Sequence, residues 1–221
     1  MNQGANKLDQ TSRQNMKKLL VSVMLSIVLP LVGGCVDLSR PALAKHYYLL
    51  DAAPKPADPP PAHDVAIRVT GIEVSAPFSE RSLVYRLDQE RYESDFYNEY
   101  FVAPRSMITA QLVEWITVRR IFATTLPPSS SLDAPYSIEG QVTALYGDLR
   151  NKAEIEAVFS IQIFVSETAN PERRIVLQRN YSHRVRVPDR SAEAITKGLS
   201  EALRQSFSAL ETDLRALKIK P

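Results

Sequence analysis

The feature that most restricts the fold is the recurrence of apolar side chains at alternate positions in three segments of the C-terminal half. The second segment, residues 154–165, places an apolar side chain at every odd position from Ile155 to Val165. Residues 136–146 and 175–187 show the same period of two, with Gly140 as a weak point in the first. The connections at 147–153 and 167–173 are short enough for hairpins. The pattern predicts antiparallel strands with one covered face.

Two amphipathic segments are predicted to supply that cover. The first begins at Pro104, a residue that fits the first helical position, and carries Ile108, Leu112 and Trp115 at helical spacing. We interpret Trp115, the only tryptophan, as a core residue. The second follows Pro188, with Asp189 or Ser191 as its N-cap and an apolar stripe that runs to Leu217.

Shorter strands are predicted at 46–50, 65–74, 82–87, 91–101 and 121–125, and residues 76–81 are predicted as a loop. A change of face at Gly71 predicts a bulge. The proline-rich segment 54–61 is predicted to be an exposed spacer rather than a docking motif. The fold class that follows is α+β: a two-layer sandwich of mostly antiparallel sheet covered by two helices.

Aromatic residues are concentrated in the segment 91–101, which contains Tyr92, Phe96 and Tyr100 among acidic residues. Two interpretations are open for this segment. The rings either pack within the sheet, which we favour, or form a binding face.

A leader segment precedes the predicted strands and helices. Met16-Lys17-Lys18 introduces an apolar run from Leu19 to Val32, which is too short to cross a bilayer comfortably, and Gly33-Gly34 leads to Cys35. This arrangement resembles a bacterial lipobox, in which the chain is cut between Gly34 and Cys35 and Cys35 receives acyl chains such as palmitate. Three acyl chains would exceed the two signals needed for stable anchoring. The alternative is an ordinary buried cysteine after an uncleaved apolar helix.

The sequence therefore predicts three parts: a signal peptide at 1–34, a lipidated tether at 35–45 and one domain at 46–221. Residues 1–15 are polar and unusually long for a signal peptide, so Met16 is a candidate start. Removing residues 1–34 takes away four basic residues and one acidic residue, which changes the net charge from +2 to −1. A mature chain without a basic excess argues against nucleic-acid binding. Lipidation of the only cysteine would leave none for a disulfide.

No arrangement of reactive side chains predicts catalysis, a metal or a cofactor. The glycine-rich phosphate loop and the G-x-S-x-G motif are both missing from the sequence. We interpret Glu154, Glu156, Asp95 and Glu99 as solvated charges. The chain has three histidines, which are His46, His63 and His183. No two of them have the sequence spacing of metal ligands.

The order of several short motifs resembles the ABC-type transport auxiliary lipoproteins. The resemblance runs from Tyr47-Tyr48-Leu49-Leu50 through Ala76-Pro77-Phe78 and Leu83-Val84-Tyr85-Arg86 to the helix that begins at Pro104. It covers roughly residues 46–217. Where the family usually has a tryptophan before the helix-initiating proline, this chain has Tyr100 or Phe101.

The resemblance implies a non-enzymatic accessory of an ABC-type system that moves phospholipid or another hydrophobic molecule. Its partners would be a periplasmic MCE-domain protein and the ABC transporter. Because Val36 rather than Asp follows Cys35, the lipid anchor would lie in the outer membrane, with the domain on its periplasmic face. A ring-shaped partner would suit a homo-oligomer.

Two alternatives stay open: a structural or assembly lipoprotein of an outer-membrane complex, and a protein that carries lipid in its own cavity. A carrier needs an apolar cavity of several hundred Å³, whereas a docking protein has a filled core and an exposed apolar patch. The bulky apolar residues of the strands favour the filled core.

Overall fold

The computed structural model describes residues 44–56, 60–169 and 174–219. The predicted signal peptide, Cys35 and the start of the tether lie outside these residues, as do parts of the proline-rich segment and of the 167–173 connection. The described residues contain eight strands, β1 to β8: His46–Tyr48, His63–Val74, Ser82–Arg86, Tyr92–Tyr100, Phe122–Leu126, Tyr136–Asp148, Glu156–Glu167 and Ile175–Arg186. Two α-helices are present, α1 at Pro104–Val118 and α2 at Ala192–Arg215, together with a 3₁₀ turn at Ala76–Phe78.

The strands form one sheet that forks at β6. One side of β6 pairs along its whole length with β7, which pairs in turn with β8, and both pairings are antiparallel. The other side of β6 is shared between two strands. Its first half pairs with β2, which carries β5 on its outer side, and its last two residues pair with β3, which carries β4 and then β1.

The predicted α+β sandwich is confirmed. The sheet is mixed, because β2, β3, β5 and β6 run in the same direction and β1 is parallel to β4. The two longest pairings are antiparallel, as the alternation of residues 136–187 indicates.

Both helices cover the same layer of core side chains. Helix α2 packs on β6, β7 and β8, whereas α1 packs on β2 and β5. The Ser191 side chain accepts a hydrogen bond from the Ala194 N–H at 3.2 Å, which confirms it as the N-cap of α2. Trp115 is buried, as predicted. The bulkiest fully buried side chains come from both layers: Tyr100, Phe159, Phe207, Ile67, Ile72, Leu83, Ile108, Leu112, Ile116, Ile121, Ile138 and Leu145.

The bulge predicted at Gly71 is present in β2. The pairing with β6 shifts between Val69 and Gly71, and Gly71 has a φ of 140°, a conformation that L-residues rarely adopt. The hydroxyl of Thr109 on α1 accepts a hydrogen bond from the Ile72 N–H at 2.9 Å. The helix therefore helps to hold the strand where its register changes.

Candidate functional site

Strand β4 contains a bulge. The two-residue step on β3 from Ser82 to Val84 is matched on β4 by the five-residue step from Ser94 to Glu99. The extra residues between Ser94 and Glu99 have no backbone pairing partners on β3. A bulge of this kind turns side chains away from the regular faces of the sheet.

The carboxylate of Asp95 holds this bulge together. It accepts hydrogen bonds from the N–H groups of Tyr97 at 2.8 Å and Asn98 at 3.0 Å, and from the Asn98 side chain at 2.8 Å. The Tyr85 hydroxyl on β3 donates a fourth bond at 2.9 Å. Asp95 is partly buried and ionised, as expected of a charge near the surface, and it also accepts the backbone donors that the bulge leaves without strand partners.

The same carboxylate belongs to a chain of polar contacts that also holds β1. The Tyr48 hydroxyl donates to Asn98 Oδ1 at 3.0 Å, and Asn98 in turn donates to Asp95. Burial raises the pKa of the Asp95 carboxyl, but the hydrogen bonds from Asn98, Tyr97 and Tyr85 outweigh burial and hold the pKa below its usual value. Burial, followed by the bond to Asp95, raises the pKa of Tyr85. The group therefore works as a fixed anion with neutral donors around it.

Exposed apolar side chains surround the bulge and the neighbouring strand β1. We call them the β1–β4 patch, and its members are Tyr47, Leu49, Phe96, Tyr97, Phe101 and Val102. Phe96 is the most exposed of them, at 68% of its surface. Scattered single apolar residues are normal on a surface, but a continuous group indicates a contact surface.

Ring contacts and charges connect four members of this patch. Tyr47 meets Phe101 edge-on with ring centres 6.1 Å apart, and Phe96 meets Tyr97 in the same way at 5.2 Å. The Lys45 ammonium lies 4.6 Å from the centre of the Phe96 ring.

A second cation, Arg81, lies 5.4 Å from the centre of the Tyr47 ring. Glu99 forms ion pairs with both Lys45 and Arg81. The two cations of the patch thus share one carboxylate, and the Asp95 carboxylate in the bulge supplies a second negative charge.

The exposure of each ring shows which aromatic residues of the segment pack within the sheet and which lie on its surface. Tyr100 is buried, so packing within the sheet is correct for it. Packing is wrong for Phe96 and Tyr97, because the bulge held by Asp95 turns both out of the sheet. The spacing of aromatic residues in the sequence does not reveal this, since a regular strand would place Phe96 and Tyr100 on one face.

A second cluster of charges lies where β6 ends. Asp148 is buried and accepts from Arg150 at 2.7 Å and Arg184 at 2.6 Å. The bonds from Arg150 lower the pKa of Asp148 to about 2, against the opposing effect of burial. A carboxyl whose pKa lies this far below neutral pH is a weak base, and the cluster serves to pair charges between β6 and β8.

A third polar group joins the two helices. Glu211 of α2 accepts from the Trp115 indole at 3.0 Å and from Arg119 at 2.9 Å, and it also pairs with Arg215. Burial raises the pKa of Glu211, but the bonds from Arg119, Arg215 and Trp115 outweigh burial and lower it. The indole of Trp115 therefore donates a hydrogen bond to Glu211 and packs edge-on against the Phe207 ring.

The remaining predicted residues are dispersed over the fold. His46 lies on β1 and His183 on β8, whereas His63 begins β2 and its Nε2 lies 2.7 Å from the Leu214 carbonyl oxygen. Glu154 pairs with Arg186, and Glu156 with Arg184. Across residues 44–56, 60–169 and 174–219, no three His, Cys, Asp or Glu side chains are grouped to hold a metal.

The space between sheet and helices is filled with side chains. A methyl group added at Gly198 on α2 would lie only 2.6 Å from Ala157 Cβ on β7, which shows how closely the two layers approach. Five surface grooves have volumes of about 370 to 630 Å³, and all five are open to solvent. Neither described helix has the length and apolar character needed to span a bilayer.

Comparison with known proteins adds a family and a fold. The model of the family described as ABC-type transport auxiliary lipoprotein component matches residues 47–210. Protein XCC0632 from Xanthomonas campestris, of the family DUF330, is 12% identical over 76% of this chain and 90% of its own, with a TM-score of 0.63. A second solved structure, of an uncharacterized protein, is 14% identical over 77% and 99% of the two chains, with a TM-score of 0.61. No curated protein matches the chain.

Proposed function

We propose, because this chain belongs to the ABC-type transport auxiliary lipoprotein family, that it is a lipid-anchored, non-enzymatic accessory of an ABC-type transporter. In this proposal Cys35 carries the lipid after cleavage between Gly34 and Cys35. The domain lies on the periplasmic face of the outer membrane, where it docks a periplasmic MCE-domain protein. The transported molecule is a phospholipid or another hydrophobic compound.

The observation that carries the proposal, beyond the family itself, is the filled core. A protein that carries lipid in its own cavity needs a ligand pocket that encloses most of the ligand. Here bulky side chains such as Phe159, Phe207 and Leu145 are buried between the two layers, and the grooves are open to solvent. This favours docking over carrying.

The separated positions of the polar residues support a non-enzymatic role. The most perturbed carboxyl, Asp148, is engaged by two guanidinium groups, and Asp95 is engaged by its own bulge. A catalytic pair needs a nucleophile and a base within hydrogen-bond reach of each other and of a substrate position. These two carboxylates instead contribute to holding strands together.

The anchor is tested by the Cys35→Ala variant of the full chain. We expect the variant to keep its leader uncleaved and to lose its outer-membrane localisation, while the parent fractionates with the outer membrane. Processing at the same position together with retention in the outer membrane would refute the anchor.

The docking role is tested by crosslinking the intact lipoprotein in membranes and identifying the captured proteins and lipids by mass spectrometry. We expect an MCE-domain protein and ABC subunits, and crosslinks between two copies of this chain if it forms a homo-oligomer. Recovery of an outer-membrane barrel or peptidoglycan-bound proteins instead would favour the structural or assembly role.

A further inference from the structure

We propose that the β1–β4 patch rests on the phospholipid bilayer to which the chain is anchored. The inference depends on the lipid anchor at Cys35 in the proposed function. It adds a second contact with the membrane, made by the folded domain itself. The patch then contacts the headgroup region of the bilayer.

Only a short length of chain separates the anchor from the patch. Ala44 follows Cys35 by nine residues, and an extended chain of nine residues reaches at most about 32 Å. The chain enters the domain directly at the patch, because Lys45 touches Phe96 and His46 pairs with Asn98. Of all the surfaces of the domain, the patch therefore has the shortest covalent connection to the lipid.

The side chains of the patch have the chemistry of a membrane surface contact. Tyr, Phe and Leu side chains beside the apolar stems of Lys and Arg are a composition suited to the membrane–water interface. The carboxylates of Glu99 and Asp95 balance the two cations, so the patch carries little net charge. This suits zwitterionic headgroups and predicts that contact depends only weakly on salt.

The patch is also held in shape before it contacts a membrane. The four hydrogen bonds to Asp95 fix the bulge that carries Phe96 and Tyr97. The Tyr48–Asn98 bond holds β1 against β4. Groups that are already ordered lose little conformational freedom on binding, so their burial contributes more of its free energy to the contact.

The test uses the full-length lipidated chain reconstituted in phosphatidylcholine vesicles, with a single reporter introduced as Phe96→Trp. The matched control is Leu132→Trp, because Leu132 is 65% exposed and lies in the connection before β6. The patch is level with about residue 144 of β6, because Tyr85 pairs with Gly147 and Ser82 pairs with Glu99, and this is roughly 26 Å along the strand from its start at 3.3 Å per residue. Trp115 is buried and gives the same background in both variants.

We expect brominated phosphatidylcholine to quench the Phe96→Trp emission at least about twofold more than that of Leu132→Trp, equally in low and in high salt. Equal quenching of the two reporters in floating vesicles would overturn the inference while leaving the anchor intact. Failure of the chain to float with vesicles would overturn both proposals. A Phe96→Trp reporter that responds only when an MCE-domain protein is added would assign the patch to a protein partner and overturn the inference.

Discussion

At the scale of single residues, the hydroxyl of Thr125 on β5 is a buried polar group that destabilises the fold. Among the residues that the structure describes, it is shielded from solvent and has no hydrogen-bond partner. A buried hydroxyl without a partner loses its bonds to water and gains nothing in return. We expect Thr125→Val, which keeps the shape and suits a strand, to raise the free energy of unfolding by about 1 kcal/mol in urea denaturation.

The neighbouring Thr124 provides the control, since its side chain is exposed. Thr124→Val is expected to change the free energy of unfolding by less than about 0.5 kcal/mol. A Thr125→Val protein that is less stable than the parent would show that the hydroxyl has a partner in solution.

The charge of Asp148 gives a prediction about pH. Its pKa in the folded protein is about 2, which is below the value of about 3.9 for an unfolded chain. Its contribution is therefore complete above the unfolded value and is lost as pH falls from about 5 through 2. Asp148→Asn should lower the free energy of unfolding on the order of 1–2 kcal/mol at neutral pH and flatten its dependence on pH below 5.

Glu156→Gln is the matched control because Glu156 pairs with the same Arg184 but is more exposed than Asp148. It is expected to cost less than about 1 kcal/mol. Equal losses for both variants across the pH range would contradict the assignment of the acid dependence to Asp148.

At the scale of elements, the contact of α2 with the sheet depends on Gly198. A methyl group there would lie 2.5 Å from Val187 Cγ1 and 2.6 Å from Ala157 Cβ, and the second of these atoms cannot rotate away. Gly198→Ala should therefore destabilise the protein by about 1–3 kcal/mol, although alanine favours a helix by about 1 kcal/mol.

Ser208→Ala on the exposed side of the same helix separates the two effects. It should leave the melting temperature unchanged or raise it slightly, whereas Gly198→Ala should lower it. A rise in both would show that the helix moves outward at no cost.

The bulge of β4 is the second element with a sharp dependence on one side chain. Asp95→Ala removes the acceptor of the Tyr97 and Asn98 N–H groups, so we expect faster hydrogen exchange over residues 94–98. Glu93→Ala on the same strand changes an exposed side chain and should leave that exchange unchanged. Unchanged exchange in Asp95→Ala would mean that the bulge is held by other contacts.

At the scale of the whole molecule, the filled core limits how the protein can deal with lipid. We expect native mass spectrometry of the detergent-purified chain to show the covalent lipid modification without a phospholipid bound at one-to-one stoichiometry, even after incubation with excess phospholipid. A phospholipid that survives transfer to the gas phase at that ratio would require a cavity and would restore the carrier alternative.

The two helices, the long strands and the Gly71 bulge could all be predicted because each depends on local periodicity or on a single special residue. The parallel pairings of β2, β5 and β6 could not, because they depend on how the chain crosses over between distant segments. The strand predicted at 65–74 begins two residues earlier, at His63, which pairs with Phe122. Likewise, Pro77 forms a 3₁₀ turn within the predicted loop.

The sequence by itself determined the α+β class, the caps and stripes of the helices, and the lipobox-like segment that predicts an anchor at Cys35. Only the tertiary structure decided that Phe96 and Tyr97 are exposed while Tyr100 is buried. The physical reason is that alternation records which face of a regular strand is apolar, whereas a bulge resets that alternation. The bulge is held by local hydrogen bonds to Asp95 and also by one from Tyr85, which lies on a different strand.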